Sequence, residues 1–346
     1  MTSLENVPDF SNQVLFIGID LHKQHWRLGL RMGGLELKGI SIDPNPERLQ
    51  QYLQHHYPGA RYVSCYEAGC FGFSIHERLL ALGIENRVGH PADVPTSDKD
   101  KVYKNDPRDA GKLARELEKG IAGIYIPTPA QQHLRSLWRL RFRLVCEQTR
   151  YKNRIKSFMA FMGYRLPEAT HWSRRFLQSL LEYEIAYEAG RLTLQTLVQA
   201  LIQTRARIAA LTRELSRLAP EAEFLMSVPG VGRITALALY CELMDLNRFK
   251  SIDRLCSYIG LIPSTQSSGA HQDPGRLTRR RNRYLRALLI EAAWVAIRQD
   301  PAMTACYMRL KRRMKPQEAI VRLAKKLVRR LWCVWHSGQP YVCLMP

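Results

Sequence analysis

The sequence has no run of eighteen apolar residues, no CxxC pair and no basic-then-apolar pattern at its N-terminus. The first absence excludes a membrane-spanning helix in this sequence, the second a dithiol or zinc motif of the usual spacing, and from the third no secretory signal is expected. A cytoplasmic protein with no membrane partner is expected. The eight cysteines, at 65, 70, 146, 241, 256, 306, 333 and 343, are scattered in mostly apolar surroundings. They read as buried thiols in a reducing compartment. Acidic residues are also scarce: 31 Asp and Glu stand against 52 Lys and Arg, a formal charge of +21.

At 346 residues and 46% apolar content the chain can form two or three domains with cores, and it is too apolar for disorder. Its positive charge is clustered. Residues 1–125 hold 15 basic and 16 acidic side chains, and residues 181–275 hold 9 and 10. Residues 126–180 hold 11 and 2, and residues 276–346 hold 17 and 3. Two basic blocks of this kind attract a polyanion. Nucleic acid is favoured over an anionic membrane because no membrane-inserting apolar face accompanies a basic one. Charge does not distinguish DNA from RNA.

Val14-Leu15-Phe16-Ile17-Gly18-Ile19-Asp20 reads as a buried strand ending in a carboxylate, with Gly18 open to close backbone approach. Strands follow at 26–30 and 35–40 about a tight turn containing Gly33 and Gly34, then at 62–66, ending in Glu67, and at 86–88. Helices at 45–56 and 74–82 complete a mixed α/β sheet over residues 1–125. In such folds sites collect at the carboxyl ends of strands, where Asp20 and Glu67 fall. The next helix carries Asp106 and Asp109 on one face. Acids that close call for a cation or a proton between them, and hard cations such as Mg²⁺ or Mn²⁺ take carboxylate oxygens. Acids beside Pro107 in a first helical turn also suit the helix dipole without metal, and Asp20 alone suits a turn or cap. Taken together the four acids favour metal, and two ions would hold and polarise a phosphodiester. Lys104, with Lys101, reads as a phosphate contact or a solvated loop charge.

Residues 126–220 read as a basic helical arm and coiled coil after the break at Pro127-Thr128-Pro129. From Gln131 to about Met162, apolar residues at helical spacing alternate with arginines that include Arg139 and Arg143. The run 192–218 has a three-four leucine spacing, giving a helical hairpin or an intersubunit coiled coil. Trp172, Phe176, Tyr183 and Tyr187 read as packing residues.

Residues 221–335 form the third region, ahead of a loose tail at 336–346. Val228-Pro229-Gly230-Val231-Gly232 precedes a helix at 234–243. It is either a helix-hairpin-helix-like phosphate contact, made through Gly230 and Gly232, or a plain turn. After a helix at 251–259, the polar stretch from Leu261 to Gly275 reads as a loop holding Ser267, Ser268 and His271. It stands directly before Arg276, Arg279, Arg280 and Arg283. No hydrolase triad accompanies these hydroxyls, so activation has to come from metal or a remote acid. Further helices are expected at 287–297, 308–315 and 321–330.

These motifs run in order: Gly18-Ile19-Asp20, Tyr66-Glu67-Ala68, Lys104-Asn105-Asp106-Pro107-Arg108-Asp109-Ala110, the Val228–Gly232 turn, and Gly260–Pro263 through Ser268-Gly269 to Asn282-Arg283-Tyr284-Leu285-Arg286. In them the chain resembles the DEDD-type transposases of bacterial insertion sequences, recombinases guided by a bridge or seeker RNA. The resemblance implies a RuvC-like, ribonuclease H-type domain in which Asp20, Glu67, Asp106 and Asp109 bind Mg²⁺ (or Mn²⁺). It implies a mainly α-helical C-terminal transposase domain whose serine, matched by Ser268, attacks DNA to form a covalent phosphoserine. It also implies a noncoding RNA that pairs with donor and target DNA. Homodimers would assemble to a tetramer, the acids of one subunit facing the serine of another. The chain departs from the usual family text at Asn105, Gly69-Cys70 and Arg281, none of which removes a ligand. Ser267 beside Ser268 leaves the nucleophile open by one position.

The expected function is RNA-guided DNA transposition or recombination, with Lys104, Arg139, Arg143, Gly230, Gly232, Arg276, Arg279, Arg280 and Arg283 as nucleic-acid contacts. A phosphoserine would conserve phosphodiester energy for rejoining. One rival is a RuvC-like nuclease or junction resolvase that uses the acids and water. The other is a nonenzymatic nucleic-acid scaffold. A guide delegates target choice to RNA, so protein residues do not disclose the target.

Overall fold

The computed structural model describes residues 9–90, 106–168, 171–268, 271–278 and 280–342; the side chains of 106–108, 264–268 and 271–276 lie outside that description. The chain divides into two units, Met1–Ile126 and Pro127–Pro346.

In the first unit β1 (Val14–Leu21), β2 (Trp26–Met32), β3 (Leu35–Ile42), β4 (Arg61–Glu67) and β5 (Glu85–Gly89) form one sheet in the order β3-β2-β1-β4-β5. The first three strands are antiparallel, and β4 and β5 add in parallel to β1. Gly33 and Gly34 both take positive φ, 56° and 83°, and close the β2–β3 turn as a two-residue hairpin of this twist requires. Helix α1 (Pro46–His56) starts where the Asn45 side chain accepts the Glu47 and Arg48 N–H groups. Helix α2 (Ser74–Ala81) connects β4 to β5.

Strand alternation sorts β1 into two faces. Leu15, Ile17 and Ile19 are fully buried in a core with Leu28, Leu30, Leu49, Leu53 and Leu79. Phe16, Gly18 and Asp20 point the other way, toward helix α3 (Asp106–Glu118), whose Leu113 and Leu117 pack with Val63 and Cys65. Gly18 pairs with Gly29 across the ladder. A Cβ on Gly18 would sit 2.0 Å from the Ala110 carbonyl oxygen, and one on Gly29 would sit 2.4 Å from Gly111 N. At its far end the helix is tied to the β2–β3 turn. Arg31 Nε donates to Glu118 at 2.7 Å, and the Gly34 N–H donates to the other carboxylate oxygen at 2.9 Å.

In the second unit α4 (Pro129–Phe161) starts with a capping box between Thr128 and Gln131. It packs against α6 (Glu188–Leu218). Trp138 shares a core with Leu215, Arg141 Nε donates to Thr212 Oγ1 at 2.7 Å, and Ile155 packs near Val198. These pairings run in opposite senses along the two helices, so the leucine run closes a hairpin inside one chain. Phe176, Leu177 and Leu180 of α5 (Arg174–Leu181) cap its distal core. Tyr187 departs from its expected packing role and is 78% exposed.

Helices α7 (Arg233–Leu243), α8 (Ile252–Ile259), α9 (Leu285–Gln299), α10 (Pro301–Lys311) and α11 (Pro316–Ser337) surround one large core. The helix expected at 308–315 is the end of α10, and Pro316 opens a new helix just beyond it. The polar stretch read as a loop contains β6 (Pro263–Ser268) paired antiparallel with β7 (His271–Leu277), with Ser268 opposite His271. It has no apolar alternation, so hydropathy could not reveal these strands. The tail is not loose throughout: the Tyr341 N–H donates to Ser227 Oγ at 2.9 Å and its ring packs on the core.

Among the described residues the cysteines are all free; Cys65, Cys241, Cys256 and Cys306 are buried, while Cys343 lies outside the description. Burial pushes the Cys65 thiol up to about 11 and Cys241 up to about 12. No described helix is long and apolar enough to cross a membrane. Gly18→Ala should destabilise the first unit by about 3 kcal/mol, the upper end for overpacking, because its new methyl meets backbone. Urea unfolding measures this, and a midpoint equal to that of the wild type would contradict it.

Candidate active site

Parity and register bring the acids together. Ile19 pairs with Tyr66, which puts Asp20 and Glu67 at the next level of two parallel neighbours, on the face that Gly18 shares with Cys65. The seating of α3 on that face brings Asp109 alongside. Asp20, Glu67 and Asp109 line one cleft of about 280 Å³ with His22, Cys70 and Leu113. Asp106 opens α3, and its side chain lies outside the described residues.

His22 Nε2 lies 3.1 Å from Asp20 Oδ2, and its ring stacks on His25 at 5.2 Å. Lys112 Nζ stands 3.8 Å from Asp109 Oδ1. Carboxylate oxygens in a polar cleft fit a hard divalent cation. Among the described residues no three His, Cys, Asp or Glu side chains close on one point.

In the second unit the strand pair places Ser268 at the end of β6, with its side chain outside the description. Lys104 and Arg279 lie outside the described residues, as does the side chain of Arg276. Arg143, Arg280 and Arg283 are exposed. Arg139, expected as a nucleic-acid contact, is paired within the fold. Its Nε and Nη2 donate at 2.8 and 2.9 Å to the two oxygens of Glu242, which is fully buried. The carboxylate raises the Arg139 pKa, while burial lowers that of neighbouring Arg135.

Gly230 is also packed within the fold. Its N–H donates to Gln299 Oε1 at 2.8 Å, and a Cβ there would lie 2.3 Å from the Ala292 carbonyl oxygen. Gly232 sits in open space as the N-cap of α7.

The family description "Transposase IS116/IS110/IS902 family" matches residues 222–308, which include the strand pair, and a transposase description of the DEDD, IS110 type matches residues 17–163, which include all four acids. The y4rJ protein of Sinorhizobium fredii, named as a candidate transposase, is 30% identical over 303 residues that span 79% of this chain and 76% of y4rJ. The chain belongs to the IS110/IS116 family of DEDD transposases. The transposase for insertion sequence element IS1111A of Coxiella burnetii is 26% identical over 346 residues, covering 95% of this chain and 92% of that one. As an IS110-family transposase the protein is a DNA cleaving and rejoining enzyme. Its mixed sheet followed by a helical region is consistent with a ribonuclease H-like DEDD domain, and the family implies use of a divalent metal.

Two features of this transposase escaped the sequence reading. His22 could have been found from its spacing, two positions beyond the strand-end Asp20. Glu242 could have been found as the one acid in the mostly apolar helix Arg233–Leu243. A carboxylate there has to be paired internally. Glu242→Gln should lower stability by about 3 kcal/mol, the lower end for breaking a buried pair because Arg139 is partly exposed. The urea midpoint reads this at unchanged slope; a midpoint equal to that of the wild type would contradict it.

Proposed function

We propose that this transposase cleaves and rejoins DNA through a phosphoserine formed at Ser268, under the direction of a bridge or seeker RNA that pairs with donor and target DNA. The observation that carries the reading is the cleft where Asp20, Glu67 and Asp109 stand on one face at the ends of a parallel strand pair and an apposed helix. With Asp106 these residues would hold Mg²⁺ (or Mn²⁺). A bound ion would polarise the phosphodiester and stabilise the attacking and leaving oxygens. Ser268 Oγ forms the new P–O bond as the bond to the departing deoxyribose oxygen breaks, and that oxygen takes up the proton the serine gives up. Rejoining runs the same exchange backward onto a different DNA hydroxyl, so no external energy source is needed.

Two basic blocks support nucleic acid as the ligand of the second unit, with Arg143, Arg280 and Arg283 exposed on it. Arg276, Arg279, Lys104 and the Gly232 helix start complete the proposed contacts. Homodimers assembling to a tetramer would let the acids of one subunit serve the serine of another.

The decisive experiment incubates the full chain with its co-purifying RNA, matching DNA and Mg²⁺, and resolves products on a denaturing gel. Wild type and Ser267→Ala should give a protein–DNA adduct, while Ser268→Ala should give none and retain RNA binding. An adduct from Ser268→Ala, or free DNA ends with no adduct from wild type, rejects the nucleophile and in the second case favours hydrolysis by water. Asp20→Asn should reduce cleavage by at least about a hundredfold, the scale of a lost electrostatic contribution. Unchanged cleavage at matched protein concentration would remove Asp20 from the site.

A further inference from the structure

The strand pair β6–β7 is held at its base by a chain of hydrogen bonds that begins in the protein core. Glu242, fully buried, receives the Arg139 guanidinium on both oxygens, and Oε2 also accepts from Asn282 Nδ2 at 3.1 Å. The Asn282 N–H donates to the Tyr258 carbonyl at 2.9 Å, which fixes the segment after β7 to the end of α8. Asn282 Oδ1 accepts from Tyr284 N and Leu285 N at 2.9 and 3.2 Å, starting α9. At the second position of that helix, Arg286 Nη1 donates to the Gly260 carbonyl at 3.1 Å and to the Thr278 carbonyl at 2.8 Å. Gly260 stands before β6 and Thr278 after β7, so a single guanidinium grips both feet of the hairpin.

The approach is tight as well as bonded. Gly260 has φ +88°, and a Cβ there would lie 2.4 Å from Arg281 Cβ. These two donations go to neutral carbonyls and fix backbone on both sides of the hairpin. The hairpin multiplies any error at its feet. Six residues of strand reach roughly 20 Å. A tilt of about 3° at the base therefore moves the Ser268 end of β6 by about 1 Å, a displacement that can cost about a hundredfold in rate.

We propose that Arg286 is a positioning residue for strand cleavage: its grip on Gly260 and Thr278 sets the angle at which the β6–β7 hairpin presents Ser268. The inference rests on the reading of Ser268 as nucleophile.

The test is single-turnover adduct formation by full-length wild type, Arg286→Met and Arg286→Lys with co-purifying RNA, matching DNA and Mg²⁺. Rate constant and final amplitude are recorded separately, alongside DNA affinity. Arg286→Met should lower the rate constant by about 30- to 100-fold and leave amplitude and affinity within about twofold. Arg286→Lys should recover about tenfold of that loss and stay about three- to tenfold below wild type, since an ammonium can still donate to two carbonyls but lacks the fixed fork of the guanidinium. A fall in amplitude at an unchanged rate constant would show that Arg286 only maintains the folded fraction, and would overturn the proposal. If Arg286→Met does not fold, Arg286→Lys decides: a slower rate constant at full amplitude supports the proposal and an unchanged one refutes it. Absence of an adduct in wild type removes the nucleophile reading and this inference with it; a wild-type adduct with an unslowed Arg286→Met removes this inference alone.

Discussion

Helix Asp106–Glu118 approaches the backbone of its sheet at Ala110 and Gly111, because Gly18 and Gly29 face it there from adjacent strands. Any larger residue at either position would meet helix backbone, which cannot rotate away as a side chain can. Everything proposed for the DEDD domain follows from that contact. Asp20 stands two residues beyond Gly18 on the same face, and Asp109 adjoins Ala110, the residue whose carbonyl Gly18 accommodates. Raising the helix by one side-chain layer would take Asp109 away from the strand-end acids. The Arg31–Glu118 pair and the Gly34 N–H hold the opposite end of the helix, so the seating is set at both ends.

The basic residues of the second unit fall into two populations. Arg135, Arg139 and Arg141 turn inward and are committed to backbone carbonyls, Glu242 and Thr212. Arg330 is engaged with the buried Asp300. Arg143, Arg150, Arg154 and Arg283 stay exposed. Net charge alone therefore overstates the cation available to a polyanion. What remains on the surface is still ample for phosphate binding, and the inward set gives the helical unit internal polar connections at places where hydrophobic packing would leave register open.

Much of the DEDD domain was legible from residues alone. Strand alternation around Ile17 and Ile19, the glycine turn at 33–34 and the proline-led helix starts carry local signals strong enough to survive tertiary packing. The acid at the end of β1 and the acid at the end of β4 could be placed at one rim because parallel neighbours end on the same side of a sheet. The serine strands were not legible, since polar hairpins are held by backbone pairing that no hydropathy pattern reports. The internal pairing of Arg139 was hidden for a related reason. An arginine on the polar side of an amphipathic helix looks solvated until the fold sets a buried carboxylate against it.

The order of the elements in the first unit, the faces on which Asp20 and Glu67 emerge and the two basic blocks are properties of the linear chain, because side-chain period, turn chemistry and charge are all local quantities. The seating of α3 against Gly18, the pairing of Glu242 with Arg139 and Asn282, and the grip of Arg286 on both feet of the hairpin were decided by tertiary structure. Each joins residues from different elements, and whether such groups meet depends on distances of an ångström or less that only the packed molecule sets.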